Sequence, residues 1–361
     1  MSEFRKLTLL TLAMLASFLV GMFGVAHADP LKVGFVYVGP IGDHGWSYEH
    51  NQGRLSVEKE FGDKVKTTYV ESVPEGADAQ RVINQLAAKG HDLIFTTSFG
   101  YMNPTIQVAK KHPKVHFEHA TGYKRSKNVA TYSGRFYEGR HVAGLIAGKM
   151  TKTNIIGYVA SFPIPEVIRG INAVAIAARS VNPDVKVKVV WVSSWFDPGK
   201  ESTAANTLID QGADIIMQHT DSPAPVQTAQ KRGVWALGQA SNMSSFGPKA
   251  HLTAIIDNWS PYYIARTKAV MDGTWKSGDT WGGFKSGMVE MAPYNSAIPA
   301  DVVSLAETAR KGIISGSVHA FTGPIKDQSG KIVIADGKVA DDGMLAGMNF
   351  YVEGVEGKIP Q

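Results

Sequence analysis

Cysteine is absent from the 361-residue chain. Its absence rules out disulfides, C-x-x-C redox or metal motifs and the lipidated cysteine of an exported lipoprotein. A chain of this length without cross-links must rest on its hydrophobic core, and it is long enough to build one. A strong charge of one sign is also missing: 37 Lys and Arg stand against 32 Asp and Glu, a formal net charge of +5. The basic residues are scattered, so no nucleic-acid partner is expected. Catalytic signatures are scarce. Gly39, Gly42 and Gly45 are spaced G-x-x-G-x-x-G, which is not the dinucleotide fingerprint, and no P-loop, H-E-x-x-H or G-x-S-x-G occurs. His112, His116 and His119 are close in sequence, but Pro113 breaks the helix that would align the first two. No metal site and no cofactor are expected.

Long apolar runs are confined to the N-terminus. Arg5 and Lys6 precede the largely apolar Leu7–Val25, and Ala26-His27-Ala28 places small residues where a signal peptidase cuts. Residues 1–28 therefore read as a signal peptide, with an uncleaved anchor as the alternative. Gly21 and Gly24 favour cleavage. Nothing downstream approaches the roughly 18 uninterrupted apolar residues of a membrane span, so a soluble periplasmic protein is expected.

What remains alternates short β-branched runs with helical patterns. The stretch Val38-Gly39-Pro40-Ile41-Gly42-Asp43-His44-Gly45-Trp46-Ser47 organises the first half. It joins the strand-like Leu31–Val38 to the helical Tyr48–Phe61, which aims a helix N-terminus at the carboxyl edge of the sheet, where open α/β sheets bind ligands. Further βα units follow at Val65–Lys89, Leu93–Lys111 and Val115–Met150. The helix Glu138–Met150 carries Ala143, Gly144, Ala147 and Gly148, small residues that let another element approach closely. The pattern restarts at Ile155 and runs to Ile256. This is βαβ logic with parallel sheets. The expected organisation is an N-terminal α/β lobe over 31–152, a C-terminal α/β lobe over 153–258, and a segment 259–361 that crosses back to the first lobe and adds C-terminal pieces. The last part is the least regular, with a strand near Met288, a helix Ala300–Ser315 and a hairpin through Asp327–Gly330.

Candidate site residues sit where strands end. Trp46 is a large ring at a loop tip, and it either staples the helix or walls a cleft. Trp195 occupies the equivalent turn of the second half, in Ser193-Ser194-Trp195-Phe196-Asp197-Pro198. Two aromatics on opposite lobes suit a planar ligand held between them. Phe99 follows the strand Leu93–Thr97 in the same way. Asp43, Asp221 and Asp257 also stand at strand-to-helix turns, where each is either a helix N-cap or a cleft carboxylate able to accept N–H groups from a ring.

With these residues in place the chain resembles the basic membrane protein (BMP) family of ABC-transporter substrate-binding proteins, whose best-known members bind purine nucleosides. The resemblance covers nearly all of the chain after the leader. It is carried by Gly42-Asp43-His44-Gly45-Trp46, Ser194-Trp195-Phe196-Asp197-Pro198, Gln211-Gly212-Ala213-Asp214, Thr220-Asp221-Ser222-Pro223 and Pro261-Tyr262-Tyr263-Ile264 with Asp272-Gly273-Thr274-Trp275. It implies a two-lobed type I periplasmic-binding-protein fold, with each lobe a parallel sheet flanked by helices and the ligand bound between lobes. It also implies that Trp46 and Trp195 stack on a purine, and that Asp221 and Lys285 are polar cleft residues. Around Ala120-Thr121 the acid common in nucleoside-binding relatives is missing, which makes a free base such as adenine a candidate beside a nucleoside.

The function so expected is an extracytoplasmic, monomeric carrier that brings a purine to the permease of an ABC importer. A sugar carrier on the same fold is one alternative, and a secreted nucleoside-processing enzyme is another. The leader reading is directly testable. N-terminal sequencing of the exported protein is expected to begin at Asp29, and recovery of an intact Leu7–Val25 segment would refute cleavage.

Overall fold

The computed structural model describes residues 29–42 and 44–360, so the expected leader and Asp43 lie outside the described residues. The first lobe begins with β1 (Leu31–Val36), buried from Val33 onward, as a strand covered on both faces should be. There follow α1 (Gly45–Phe61), β2 (Val65–Val70), α2 (Ala77–Ala88), β3 (Leu93–Thr96), α3 (Met102–Lys111), β4 (His116–Ala120) and β5 (Val129–Gly134). On α2 the buried residues Ala79, Val82, Ile83, Leu86 and Ala87 form one helical stripe against the sheet. The strands run parallel in the order β2-β1-β3-β4-β5.

The chain leaves this sheet immediately after Gly134. The helix α4 (Phe136–Met150) packs on the second lobe, so the passage between sheets is at residues 134–136 and not at the 152/153 boundary expected from sequence. The cause is its small residues. A β-carbon on Gly144 would stand 2.8 Å from the Val174 carbonyl oxygen, and one on Gly148 would stand 2.5 Å from that of Ala178. That close approach commits α4 to α5 (Pro165–Val181). Between them lies β6 (Ile155–Ala160). After α5 come β7 (Lys186–Trp191), α6 (Pro198–Asp210), β8 (Ile215–His219), α7 (Ala224–Arg232), β9 (Trp235–Gly238) and β10 (His251–Asp257). Their order β7-β6-β8-β9-β10 repeats that of the first sheet. Asp197 caps α6 by accepting from the Lys200 amide at 3.0 Å, with Pro198 at the first helical position.

Two further passages follow. The helix α8 (Ser260–Met271) returns to pack on α1, and β11 (Asp279–Gly282) adds a parallel strand beside β5. The short turn Phe284–Ser286 then leads back to β12 (Val289–Met291), antiparallel to β10. The helix α9 (Ala300–Ser315) packs on α4. The remainder, β13 (Ile325–Lys326), β14 (Ile332–Ile334), α10 (Asp342–Ala346) and β15 (Val355–Glu356), stays with the second lobe, where β15 pairs with β7. Each lobe is therefore a sheet flanked by helices, parallel throughout in the first and parallel apart from β12 in the second, and three strands of chain join the two.

The return of α8 is tied down at a fully buried carboxylate. Glu118 on β4 accepts from the Tyr262 hydroxyl at 2.7 Å, the Trp275 indole at 2.6 Å and the Arg266 guanidinium. Burial pushes its carboxyl up, and Arg266 opposes that shift. Removing one partner of such a buried pair leaves the others unpaired. Glu118→Ala is expected to cost about 3–5 kcal/mol in denaturant unfolding. Glu118→Gln, which keeps an acceptor, is expected to cost less. Equal stability of both variants and wild type would show that this tie is not what holds the returning segment.

Candidate functional site

In both sheets the chain order reverses beside the first strand of the lobe, between β1 and β3 and between β6 and β8. The loops leaving those strands diverge there and open a crevice at the carboxyl edge. The two crevices face each other. Between them is a cavity open to solvent, walled on the first lobe by Val38, Trp46, Ser98, Phe99 and Thr121. Glu166, Trp195, His219, Asp221 and Gln239 wall it on the second. A larger space, also open to solvent, adjoins it through Phe99, Thr121 and Glu166, and it is also lined by Ser133, Arg169 and Trp281.

The lobes touch at the start of α1. The Gly45 amide donates to the Ser241 hydroxyl at 2.7 Å across the crevice. Gly45 has φ +80°, and a β-carbon there would lie 2.2 Å from the Asp221 carbonyl oxygen. Only glycine meets both demands. A second bridge runs from the Trp195 indole N–H to Glu75 at 3.2 Å, and Glu75 is itself held by the Ser98 hydroxyl and the Gly100 amide.

Trp46 does both things that its position in the sequence allowed. It lines the cavity, yet the residue is only 8% exposed. The indole N–H donates to the Thr97 carbonyl at 2.5 Å. His50, Trp259 and Phe136 meet its ring edge-on, with centroids 4.5, 5.4 and 6.0 Å away. The choice between staple and wall is therefore not exclusive, because Trp46 is part of the core as well as the wall. Trp195 is half-buried and leans on Phe162 at 5.0 Å.

The open question about the aspartates is resolved in part. Neither Asp221 nor Asp257 caps a helix, and neither carboxylate accepts a hydrogen bond from any described residue. Asp221 lines the cavity. Burial pushes its carboxyl well up, and Glu201 and Glu166 add to the shift. Asp257 is fully buried where β10 ends and does not line the cavity. Burial raises its carboxyl strongly, with Glu49 and Glu166 adding and Arg140 opposing. Phe99 is at the wall as expected. Lys285 is not. It lies exposed on the turn Phe284–Ser286 between lobes and makes no contact with the cavity, because that turn exists to carry the chain across. Asp43 lies outside the described residues.

Sequence reasoning did not single out Glu166, His219 or Gln239. His219 sits 3.4 Å from Glu166 through Nε2, and burial lowers its pKa, which keeps the ring neutral. Gln239 follows the end of β9, so the strand-end rule that picked Asp221 would have found it. Glu166 read as the first turn of a helix and gave no such signal. Among the described residues no three His, Asp or Glu side chains converge to hold a metal ion, and no helix is long and apolar enough to cross a membrane.

Several known proteins are similar to this chain. A purine-binding protein of Brucella abortus is 57% identical over 98% of this chain and 100% of its own length. A chain of Haloferax volcanii, provisionally named as an ABC transporter glucose-binding protein, is 38% identical over 93% of this chain and 83% of its own. A solute-binding protein of an Aeropyrum pernix ABC transporter system superposes with a TM-score of 0.70 over 82% of this chain and 93% of that one. Its 21% identity makes that likeness one of fold. The model of the ABC transporter substrate-binding proteins described as PnrA-like (Bmp) matches residues 31–328. A match that runs from the first strand into the C-terminal hairpin shows that the chain belongs to this family of ABC-transporter substrate-binding proteins.

Proposed function

We propose that the chain is the periplasmic receptor of an ABC importer for a purine base or purine nucleoside, which it binds as a monomer between its lobes and presents to the permease. The observation that carries this reading is the cavity itself. Trp46 and Trp195 wall it from opposite lobes, and Asp221, Glu166 and Gln239 supply polar groups beside them. A flat ring with N–H groups at its edge suits such walls. The name of the Brucella relative, at 57% identity over nearly the whole chain, supports the same ligand class. The adjoining space, with Ser133, Glu166 and Arg169, offers room and hydrogen-bonding partners for an attached sugar. The protein works by binding and release without turnover. Ligand bridging the lobes stabilises the closed arrangement that Gly45 and Glu75 hold together.

The second reading is a sugar, favoured by the name of the Haloferax relative. Ultraviolet spectroscopy and mass spectrometry of material released from the purified protein separate the two, since purines absorb strongly and hexoses do not.

Titration calorimetry with adenine, adenosine, guanosine and a hexose tests the stack. Trp195→Ala is expected to weaken purine binding roughly ten- to a hundredfold, the value of one base stack. Because Trp195 is half-buried, its melting temperature should stay near wild type. Trp46→Ala is expected to lose binding as well as about 3–5 kcal/mol of stability, as a large core residue does. Hexose binding in place of purine binding, or unchanged affinity in Trp195→Ala, would sink the reading.

Closure has its own test. Gly45→Ala places a methyl group against the Asp221 carbonyl oxygen. It is expected to lower apparent affinity about tenfold or more by depopulating the closed form. Small-angle scattering should show a compaction on ligand addition that the variant fails to complete. Full compaction and wild-type affinity would show that closure does not need this contact.

A further inference from the structure

Gln239 and Arg140 form a buried pair that no motif announced. Arg140, on α4, is fully buried, and its guanidinium lies 5.5 Å over the Tyr158 ring. Its Nη2 donates to the Gln239 side-chain oxygen, while Nε and Nη1 have no partner among the described residues. Gln239 is 1% exposed and lines the ligand cavity.

The chemistry of the two groups fixes the amide. A guanidinium has only donors and cannot accept. The Gln239 atom that faces Arg140 must therefore be the carbonyl oxygen, so the NH2 group is turned the other way. That NH2 makes no hydrogen bond with any described residue, and the side chain it ends lies on the cavity wall. A free amide can offer either face to a ligand, whereas this one can offer only N–H. Of the other polar walls, Asp221 and Glu166 are carboxyl groups, while Ser98, Thr121 and His219 can donate or accept; Gln239 differs in being held to donation alone.

We infer that Gln239 is a specificity-determining residue whose amide donates to an acceptor atom on the ligand ring, and that Arg140 is the positioning residue that prevents the amide from flipping. The inference rests on the purine reading above and deepens it. A purine meets the demand with a ring nitrogen, and a ring with C–H at that place leaves the buried NH2 unpaired. Sites that hydrogen-bond a ligand group reject analogues lacking it strongly, because the protein group is stranded.

The test is titration calorimetry of wild type, Gln239→Ala, Gln239→Glu and Arg140→Met with adenine and with the deazaadenines that replace N1, N3 or N7 by C–H. Wild type is expected to bind one of these analogues about tenfold or more weaker than adenine. Gln239→Ala should bind that analogue and adenine almost equally. Gln239→Glu keeps an oxygen for Arg140 but turns the donor into an acceptor, so its adenine affinity should fall below that of Gln239→Ala. Arg140→Met should lower adenine affinity severalfold, because the amide is no longer held in one orientation, and its preference over the same analogue should fall severalfold too, a change in ratio that a purely structural role would not produce. Far-ultraviolet circular dichroism checks the fold of each variant, and Gln239→Glu carries the test if the alanine variant does not fold. Wild-type discrimination retained in Gln239→Ala, or adenine bound by Gln239→Glu as by wild type, would overturn the inference and leave the purine reading standing. Failure of wild type to bind any of these purines would overturn both.

Discussion

The approach of two backbones at the mouth of the cleft is the constraint on which the rest depends. At Gly45 the first lobe's leading helix begins against the Asp221 carbonyl of the second lobe, and its amide donates to Ser241. Nothing larger than hydrogen fits, and the φ of +80° suits glycine alone. This contact brings Trp46, one residue later, onto a cavity shared with Trp195 and Asp221. The lobes are otherwise joined by chain passages at residues 134–136, 257–260 and 282–289. Three connections that cross at one side act as a hinge, so small rotations there become large changes at the mouth. A binding protein of this design needs a closed contact that is weak enough to open without ligand. A few hydrogen bonds, from Gly45 to Ser241, Trp195 to Glu75 and Ser133 to Glu166, and one glycine supply that.

Several buried ionisable groups of the second lobe are placed at a cost to stability. Asp221 and Asp257 are buried without a hydrogen-bond partner among the described residues, and Arg140 is buried with a single hydrogen bond. An apolar core of the same volume would be more stable. Glu118 shows the contrasting arrangement, a buried carboxylate fully provided with donors where its work is to anchor α8. Asp221, unpaired on the cavity wall, and Glu118, fully paired at a structural tie, show the two uses of a buried carboxyl in one chain.

Element positions were legible in the sequence to within a few residues almost everywhere, because buried parallel strands are continuous apolar runs and their helices carry clear stripes. Ile155–Ala160 and Ala300–Ser315 are two such cases. The pieces that escaped notice, β11, α10 and β15, are five residues or fewer, too short for any periodicity. The site was half legible. Trp46, Trp195, Phe99 and Asp221 follow from the rule that ligands sit where strands end. Glu166 and Gln239 did not stand out, and Lys285 pointed elsewhere.

By itself the sequence determined the α/β class, the two repeated halves, the absence of disulfides and the aromatic residues at the strand ends. Each of these is a local property of composition, period or turn chemistry. Only the tertiary structure decided which lobe owns the helix Phe136–Met150, that Asp221 and Asp257 cap nothing, and that Trp46 belongs to wall and core at once. It alone brought Arg140 to Gln239, two residues 99 positions apart. The reason is physical. Which partner a small-residue face or a buried polar group finds depends on elements far away in the chain, and a sequence read along its length carries no distance between them.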